Sequence, residues 1–150
     1  MAGMMDGKVV VVTGAGGGIG RDIALAMAAE GAKVVVNDLG TSTTGEGAST
    51  GPAQQVVDEI KKAGGQAIAS TLSIGEPQNA DKIVQAALEA FGRVDILVNN
   101  AGILRDRIFH RMSWSDWSDV IAVHLHGSLD RKSTRLNSSH IPLSRMPSSA

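Results

Sequence analysis

Runs of β-branched residues alternate with runs of helical periodicity along most of the chain. Residues 8–13 contain four consecutive valines and end before a glycine-rich segment, a pattern that predicts a buried strand. Apolar residues then recur at helical spacing over residues 18–30, and Gly31 follows them. This spacing predicts a helix that ends at the glycine.

The alternation continues with predicted strands at residues 33–38, 66–72 and 93–98 and predicted helices at 52–63 and 77–91. Residues 40–51 form a predicted loop that is rich in glycine and threonine. Unbroken apolar strands between helices indicate a parallel sheet covered on both faces. We therefore expect an α/β fold of the doubly wound (Rossmann) type, truncated after about four strands.

Residues 130–150 differ from the rest of the chain in being polar and without periodicity. Residues 130–140 and 144–150 can be back-translated into a common sequencing-library adapter. We therefore expect residues 1–129 to form a partial domain and residues 130–150 to be a non-native, disordered tail. The alternative is a natural disordered tail, which the Arg, Ser and Pro content also suits.

Composition narrows the classes of partner. Hydrophobic residues make up 43% of the chain, enough for a globular core, and the formal net charge is -1. That charge argues against nucleic acid or an anionic membrane as a partner. The chain has no cysteine, no apolar run long enough to cross a bilayer and no secretory signal pattern. We expect a soluble, cytoplasmic protein without a metal site.

The turn between the first strand and the first helix has the spacing G-x-x-x-G-x-G, formed by Gly14, Gly18 and Gly20. Backbone without side chains lets a pyrophosphate approach the N–H groups at a helix amino terminus. The flanking strand and helix favour a dinucleotide site, although a glycine turn alone fits a plain tight turn equally well.

Asp38 ends the second predicted strand. A carboxylate at this position accepts hydrogen bonds from both adenosine ribose hydroxyls and repels a 2′-phosphate, so it favours NAD over NADP. The nearest cation, Arg21, points along the first helix. The alternative is that Asp38 merely begins a polar loop, and the pattern assigns no role to Asn37.

The segment Asn99-Asn-Ala-Gly102 directly follows the fourth predicted strand. Its small residues allow the backbone to approach a cofactor, and its amides can bond neighbouring backbone, although by itself it fits a turn. With the glycine turn and Asp38, it makes residues 7–129 resemble the short-chain dehydrogenase/reductase family. Residues 35–40, 51–58 and 100–107 further resemble the NAD-dependent 3-hydroxyacyl-CoA dehydrogenase domain of peroxisomal multifunctional enzymes and its bacterial relatives.

This resemblance implies an NAD cofactor and a complete protein that is a homo-oligomeric oxidoreductase. Its small-molecule substrate would be a secondary alcohol, with 3-hydroxyacyl-CoA as the candidate, converted to and from a ketone. A departure from the family is Ser73-Ile74, where many relatives have Asp-Val beside the adenine. The implied cofactor-binding residues are Gly14, Gly18, Ile19, Gly20, Asp38, Ser73, Ile74, Asn100, Ala101 and Gly102.

The family's general acid/base is a tyrosine, and this chain contains none. We therefore expect no catalytic residue here and an inactive isolated chain. The alternative is a non-catalytic nucleotide-binding module, and a downstream Ser followed by Tyr-x-x-x-Lys would decide between the two. His124 replaces the family's helix asparagine, and a helix-face histidine without catalytic function is favoured over a proton relay. Trp114 and Trp117, three apart on the same helix, are predicted to be packing residues rather than a platform for the substrate.

Overall fold

A computed structural model of the chain describes residues 3–40 and 51–129. Within these residues four parallel strands form one sheet in the order β3-β2-β1-β4. Because β1 is central and its neighbours lie on opposite sides, the strand order reverses between β1 and β4, which is the place where such sheets bind ligands. The predicted α/β fold is confirmed. The strands are β1 (Val9–Thr13), β2 (Lys33–Asn37), β3 (Gln66–Ser70) and β4 (Ile96–Val98).

In the described part of the chain four helices accompany the sheet, and α4 continues directly into a π-helical turn at Ala122–His126. A single 3-10 turn, Phe109–Arg111, precedes α4. Within the described ranges, no helix has both the length and the apolar character that crossing a membrane requires. The helices are α1 (Gly18–Ala29), α2 (Gly51–Lys62), α3 (Pro77–Phe91) and α4 (Trp114–Ile121).

All four strands are shorter than the apolar pattern predicts, and in β3 and β4, which differ by two or three residues, a side chain takes over hydrogen bonding at or near the strand end. The Asn37 amide donates to the carbonyl of Leu72, two residues beyond the end of β3. The Asp95 carboxylate accepts the N–H of Val9, and β4 begins only at the next residue, Ile96. Residues 41–50 of the predicted loop at 40–51, and the predicted tail at 130–150, lie outside the described residues.

The valine runs are buried because the central strands have helices on both faces. Alternate residues such as Val10 and Val12 pack with the apolar side chains of α1 and α2. The intervening Val9 and Val11 pack with α3, where Ile83 is fully buried. Side chains alternate between the two faces of a strand, so only an unbroken apolar run can serve both layers.

Candidate functional site

The carboxyl ends of the strands open into a cavity of about 700 Å³. Eight of the ten predicted cofactor-binding residues line it. The other two are Gly20, which packs beneath the turn, and Ile19, whose side chain is 74% exposed. The eight that line the cavity are Gly14, Gly18, Asp38, Ser73, Ile74, Asn100, Ala101 and Gly102.

The glycine turn is pressed against the residues that follow β4. Gly14 has a φ of 64°, and a Cβ atom there would lie 2.6 Å from Cα of Ala101. A Cβ atom on Gly20 would lie 2.1 Å from the carbonyl oxygen of Gly14. Both contacts are with backbone or with atoms fixed to it. Glycine is therefore required at both positions to keep this turn in place.

Gly16 contributes to the site although the G-x-x-x-G-x-G spacing does not include it. Its N–H donates to Oδ2 of Asp38 at 2.8 Å. A Cβ atom at position 16 would lie 2.7 Å from Cγ of Asp38, so a side chain cannot be accommodated without movement. The other carboxylate oxygen, Oδ1, accepts from the N–H of Gly40 at 2.7 Å. The run of three glycines at positions 16–18 is the sequence signal for this contact.

Asn37 fixes the end of β2 to the end of β3. Asn37 is 1% exposed, and its Nδ2 donates hydrogen bonds to the carbonyl oxygens of Ser70 at 3.2 Å and Leu72 at 3.0 Å. The backbone N–H of Asp38 also donates to Ser70 at 2.9 Å. These bonds hold the backbone that carries the Asp38 carboxylate. Sequence reasoning could not assign Asn37, because its partners lie on another strand.

Thr13 and Asn100 join the ends of β1 and β4. The hydroxyl of Thr13 accepts the N–H groups of Asn100 and Ala101, each at 3.2 Å, and donates to the carbonyl of Val98. The Asn100 amide donates to the carbonyls of Thr13 and Gly14 at 3.1 and 3.0 Å. The expected bonding of the Asn100 amide to neighbouring backbone is thus present. The Thr13 side chain takes part in the same set of hydrogen bonds, which the sequence did not indicate.

Ser73 and Ile74 form the cavity wall beyond β3. Asn79, in the first turn of α3, donates to the Ser73 carbonyl at 3.1 Å and is itself buried. This bond ties the wall to the helix that follows it. The side chain of Ser73 is half-buried and can offer a hydroxyl to a ligand.

His124 lies in the π-helical turn against the segment after β4. Its Nε2 is 3.1 Å from the N–H nitrogen of Ile103 and 3.0 Å from the carbonyl oxygen of the same residue. The tautomer decides which of the two is bonded. A Cβ atom on Gly102 would lie 2.6 Å from the imidazole ring. The ring therefore has a structural contact, which a histidine on a free helix face lacks.

The prediction that Trp114 and Trp117 are packing residues is wrong for the described part of the chain. The two residues are 80% and 50% exposed. Over residues 3–40 and 51–129, α4 packs mainly against its own continuation, the π-helical turn, which leaves Trp114 largely exposed and Trp117 half exposed. Helical spacing shows that two residues share a face, but it does not show that anything lies over that face.

The arginines near the site form ion pairs. Arg105 lines the cavity and lies 3.4 Å from Asp119 and 3.8 Å from Asp116. Hydrogen bonds from the side chain and backbone of Ser113, together with the Arg107 guanidinium, outweigh burial and lower the pKa of Asp116. Arg21, which follows the glycine turn, pairs with Glu59 of α2 at 2.6 Å.

The comparisons with known proteins agree with this geometry. The fruit-fly (Drosophila melanogaster) peroxisomal multifunctional enzyme type 2 is 58% identical over 123 residues, which is 82% of this chain and 20% of that protein. A hydroxyacyl-CoA dehydrogenase of Mycobacterium tuberculosis is 46% identical over 127 residues, 82% of this chain and 37% of the relative.

Among solved structures, a short chain dehydrogenase from Mycobacterium avium superposes with a TM-score of 0.83 at 51% identity, covering 91% of this chain and 47% of that one. This chain thus spans less than half the length of each of these three proteins. The model of the short chain dehydrogenase family matches residues 8–136. The chain therefore belongs to the short-chain dehydrogenase family.

Proposed function

We propose that the cavity at the strand ends binds NAD, and that the chain is the cofactor-binding part of an oxidoreductase. The observation that carries this proposal is the contact between the Asp38 carboxylate and the N–H of Gly16. It puts an anion suited to ribose hydroxyls beside a turn without side chains that is suited to a pyrophosphate.

The glycine turn fits the phosphates of a dinucleotide. Among the described residues, no side chain caps α1 and no acidic residue occupies its first turn. The N–H groups of Gly18, Ile19 and Gly20 begin the helix, and such groups have no partner within the helix itself. With the positive end of the helix dipole they would hold the pyrophosphate. The exposed Ile19 side chain is compatible with this role, because only its backbone would be used.

The charges beside the turn support NAD as the cofactor in a family that uses NAD or NADP. The Asp38 carboxylate would repel a 2′-phosphate. Arg21, the nearest cation, is paired with Glu59. On the far side of Asp38, Ser73 and Ile74 would contact the adenine, and Asn100, Ala101 and Gly102 would support the nicotinamide half. The cofactor would supply the hydride acceptor.

The proposed reaction of the complete protein is the interconversion of a secondary alcohol and a ketone. The names of two relatives, a peroxisomal multifunctional enzyme and a hydroxyacyl-CoA dehydrogenase, support a 3-hydroxyacyl thioester as the substrate. Because this chain has no tyrosine, a phenolic proton donor must come from outside it. We expect the 150-residue chain to bind NAD without turning over substrate. A homo-oligomeric complete protein in the cytoplasm also stays a prediction.

Calorimetric titration of the 150-residue chain with NAD and with NADP tests the proposal. We expect tighter binding of NAD, and a loss of about tenfold or more of that affinity in Asp38→Asn, since a hydrogen bond to a charged group is worth about 1.5–3 kcal/mol. The ratio of the two affinities should move toward NADP. Asp58→Asn, on the exposed face of α2, removes the same charge and is the matched control.

Two results would contradict the proposal. One is a wild-type chain that binds neither nucleotide. The other is an Asp38→Asn variant that weakens NAD and NADP by the same factor, because a purely structural role of Asp38 changes both affinities equally.

A further inference from the structure

We infer that Glu59 is a specificity-determining residue that keeps Arg21 away from the place where a 2′-phosphate would bind. The inference rests on the proposed function, since it takes the adenosine ribose to lie beside Asp38. It concerns a residue on α2 that does not line the cavity.

Arg21 has a route to the turn. Its N–H donates to the carbonyl of Gly17, so the two residues lie one above the other on α1. Cα–Cβ bonds tilt toward the amino terminus of a helix, so the Arg21 side chain starts in the direction of Gly17. A Cβ atom on Gly17 would meet no atom within 4 Å, so the space above it is open. A guanidinium in that space would be next to Gly16, which bonds Asp38.

Glu59 draws the guanidinium in another direction. Pro52, at the start of α2, borders Gly16, because a Cβ atom on Gly16 would lie 2.8 Å from the Pro52 Cβ. Glu59 is seven residues further along the same helix, on the same face and about 10 Å away along the axis. Its Oε2 lies 2.6 Å from a guanidinium nitrogen of Arg21. A second, longer contact of 3.3 Å joins Arg21 to Asp22, whose side chain is 75% exposed, so the Glu59 contact is the stronger of the two anchors that hold Arg21 away from the proposed position of the ribose.

The ion pair between Arg21 and Glu59 is partly open to water, so breaking it should change the preference for NAD over NADP only modestly. The Arg21 and Glu59 side chains are 38% and 45% exposed. Exposed ion pairs have modest strength, so releasing Arg21 should change affinity for a 2′-phosphate about two- to fivefold. The effect adds to the repulsion by Asp38 and is smaller than it.

Affinities of the 150-residue chain for NAD and NADP, and for the probes adenosine 5′-monophosphate and adenosine 2′,5′-bisphosphate, test the inference. Glu59→Gln should improve binding of the two 2′-phosphorylated compounds about two- to fivefold relative to their partners. The double variant Glu59→Gln/Arg21→Gln should lose that gain. Glu89→Gln, the same change on the exposed surface of α3, should have no effect on the ratio.

The inference is overturned if Glu59→Gln leaves the ratio at the wild-type value, or if the gain survives in the double variant. Lower salt should enlarge the gain, because the interaction is between exposed charges, and a gain independent of salt would also overturn it. A wild-type chain that binds NAD but shows either result refutes only the role of Glu59. A chain that binds none of the four compounds refutes the proposed function itself.

Discussion

Replacing Gly20 by alanine tests whether the first turn of α1 must pack against the glycine turn. Helix propensity alone favours the change, because alanine is about 1 kcal/mol better than glycine in a helix interior. Packing opposes it, since the new Cβ atom would lie 2.1 Å from the Gly14 carbonyl oxygen and 2.4 Å from Nδ2 of Asn100. The first of these atoms belongs to the backbone and cannot rotate away.

The packing effect should be the larger of the two. Inserting a methyl group into a filled space costs about 1–3 kcal/mol, and a contact this short with backbone falls at the upper end. After the gain in helix propensity, the net loss is about 2 kcal/mol in the free energy of unfolding. For a chain of this size, that loss lowers the melting temperature by about 4–8 °C.

Thermal unfolding followed by circular dichroism measures this loss, with Gly17→Ala as the matched control. Gly17 is the N-cap of α1 with a φ of -167°, and a Cβ atom there meets nothing within 4 Å. Alanine at an N-cap costs at most about 1 kcal/mol relative to glycine. If Gly20→Ala melts at or above the temperature of Gly17→Ala, the close contact does not constrain the turn and the packing argument is wrong.

Three further changes test other contacts. Thr13→Val should lower the free energy of unfolding in urea by about 1–3 kcal/mol, because the partly buried N–H groups of Asn100 and Ala101 lose their acceptor. An equal loss in Thr13→Ser would contradict this. Burial raises the pKa of Asp95, but the N–H of Val9 and the Arg93 guanidinium lower it by more than burial raises it. The pKa of Asp95 is thus lower in the folded state than in the unfolded state. The ionised side chain therefore stabilises the fold at pH values above its unfolded pKa, and this stabilisation is lost as the pH falls through the folded pKa. Asp95→Asn should remove that part of the pH dependence of the unfolding free energy. Ser113→Ala removes the capping box of α4 and should cost about 1 kcal/mol, whereas an unchanged melting temperature would show that the cap contributes nothing.

The sequence predicts the fold well because its strands have an unambiguous pattern. Four valines in a row are compatible with a strand buried on both faces, and the structure buries them against helices on both sides. The predicted bounds of α3, residues 77–91, are those observed. The errors are at strand ends, where Asn37 and Asp95 replace ladder hydrogen bonds by side-chain bonds. The periodicity of apolar residues contains no information about where a side chain takes the place of a backbone hydrogen-bond partner.

Some residues of the site could be predicted because each acts through its own backbone or charge, whereas Asn100, which bonds the carbonyls of Thr13 and Gly14, is predicted from the motif that follows the fourth strand. Gly14, Gly20 and Asp38 belong to the first class, because the requirement for space or for a carboxylate follows from position alone. Thr13, Gly16 and Asn37 act through partners that lie elsewhere in the chain. Their contacts depend on how strands pair, and a single sequence does not give the register of that pairing.

The Asp38 carboxylate shows how these two classes depend on each other. Each of its oxygens already accepts one backbone N–H, from Gly16 or from Gly40. A carboxylate oxygen has two lone pairs, so each can still accept a ribose hydroxyl. The two existing bonds fix the orientation of the carboxylate, and under the proposed function this would lower the entropy cost of binding. Without the N–H of Gly16, the Asp38 carboxylate would keep only the bond from Gly40, so under the proposed function this N–H would orient the group that binds the sugar.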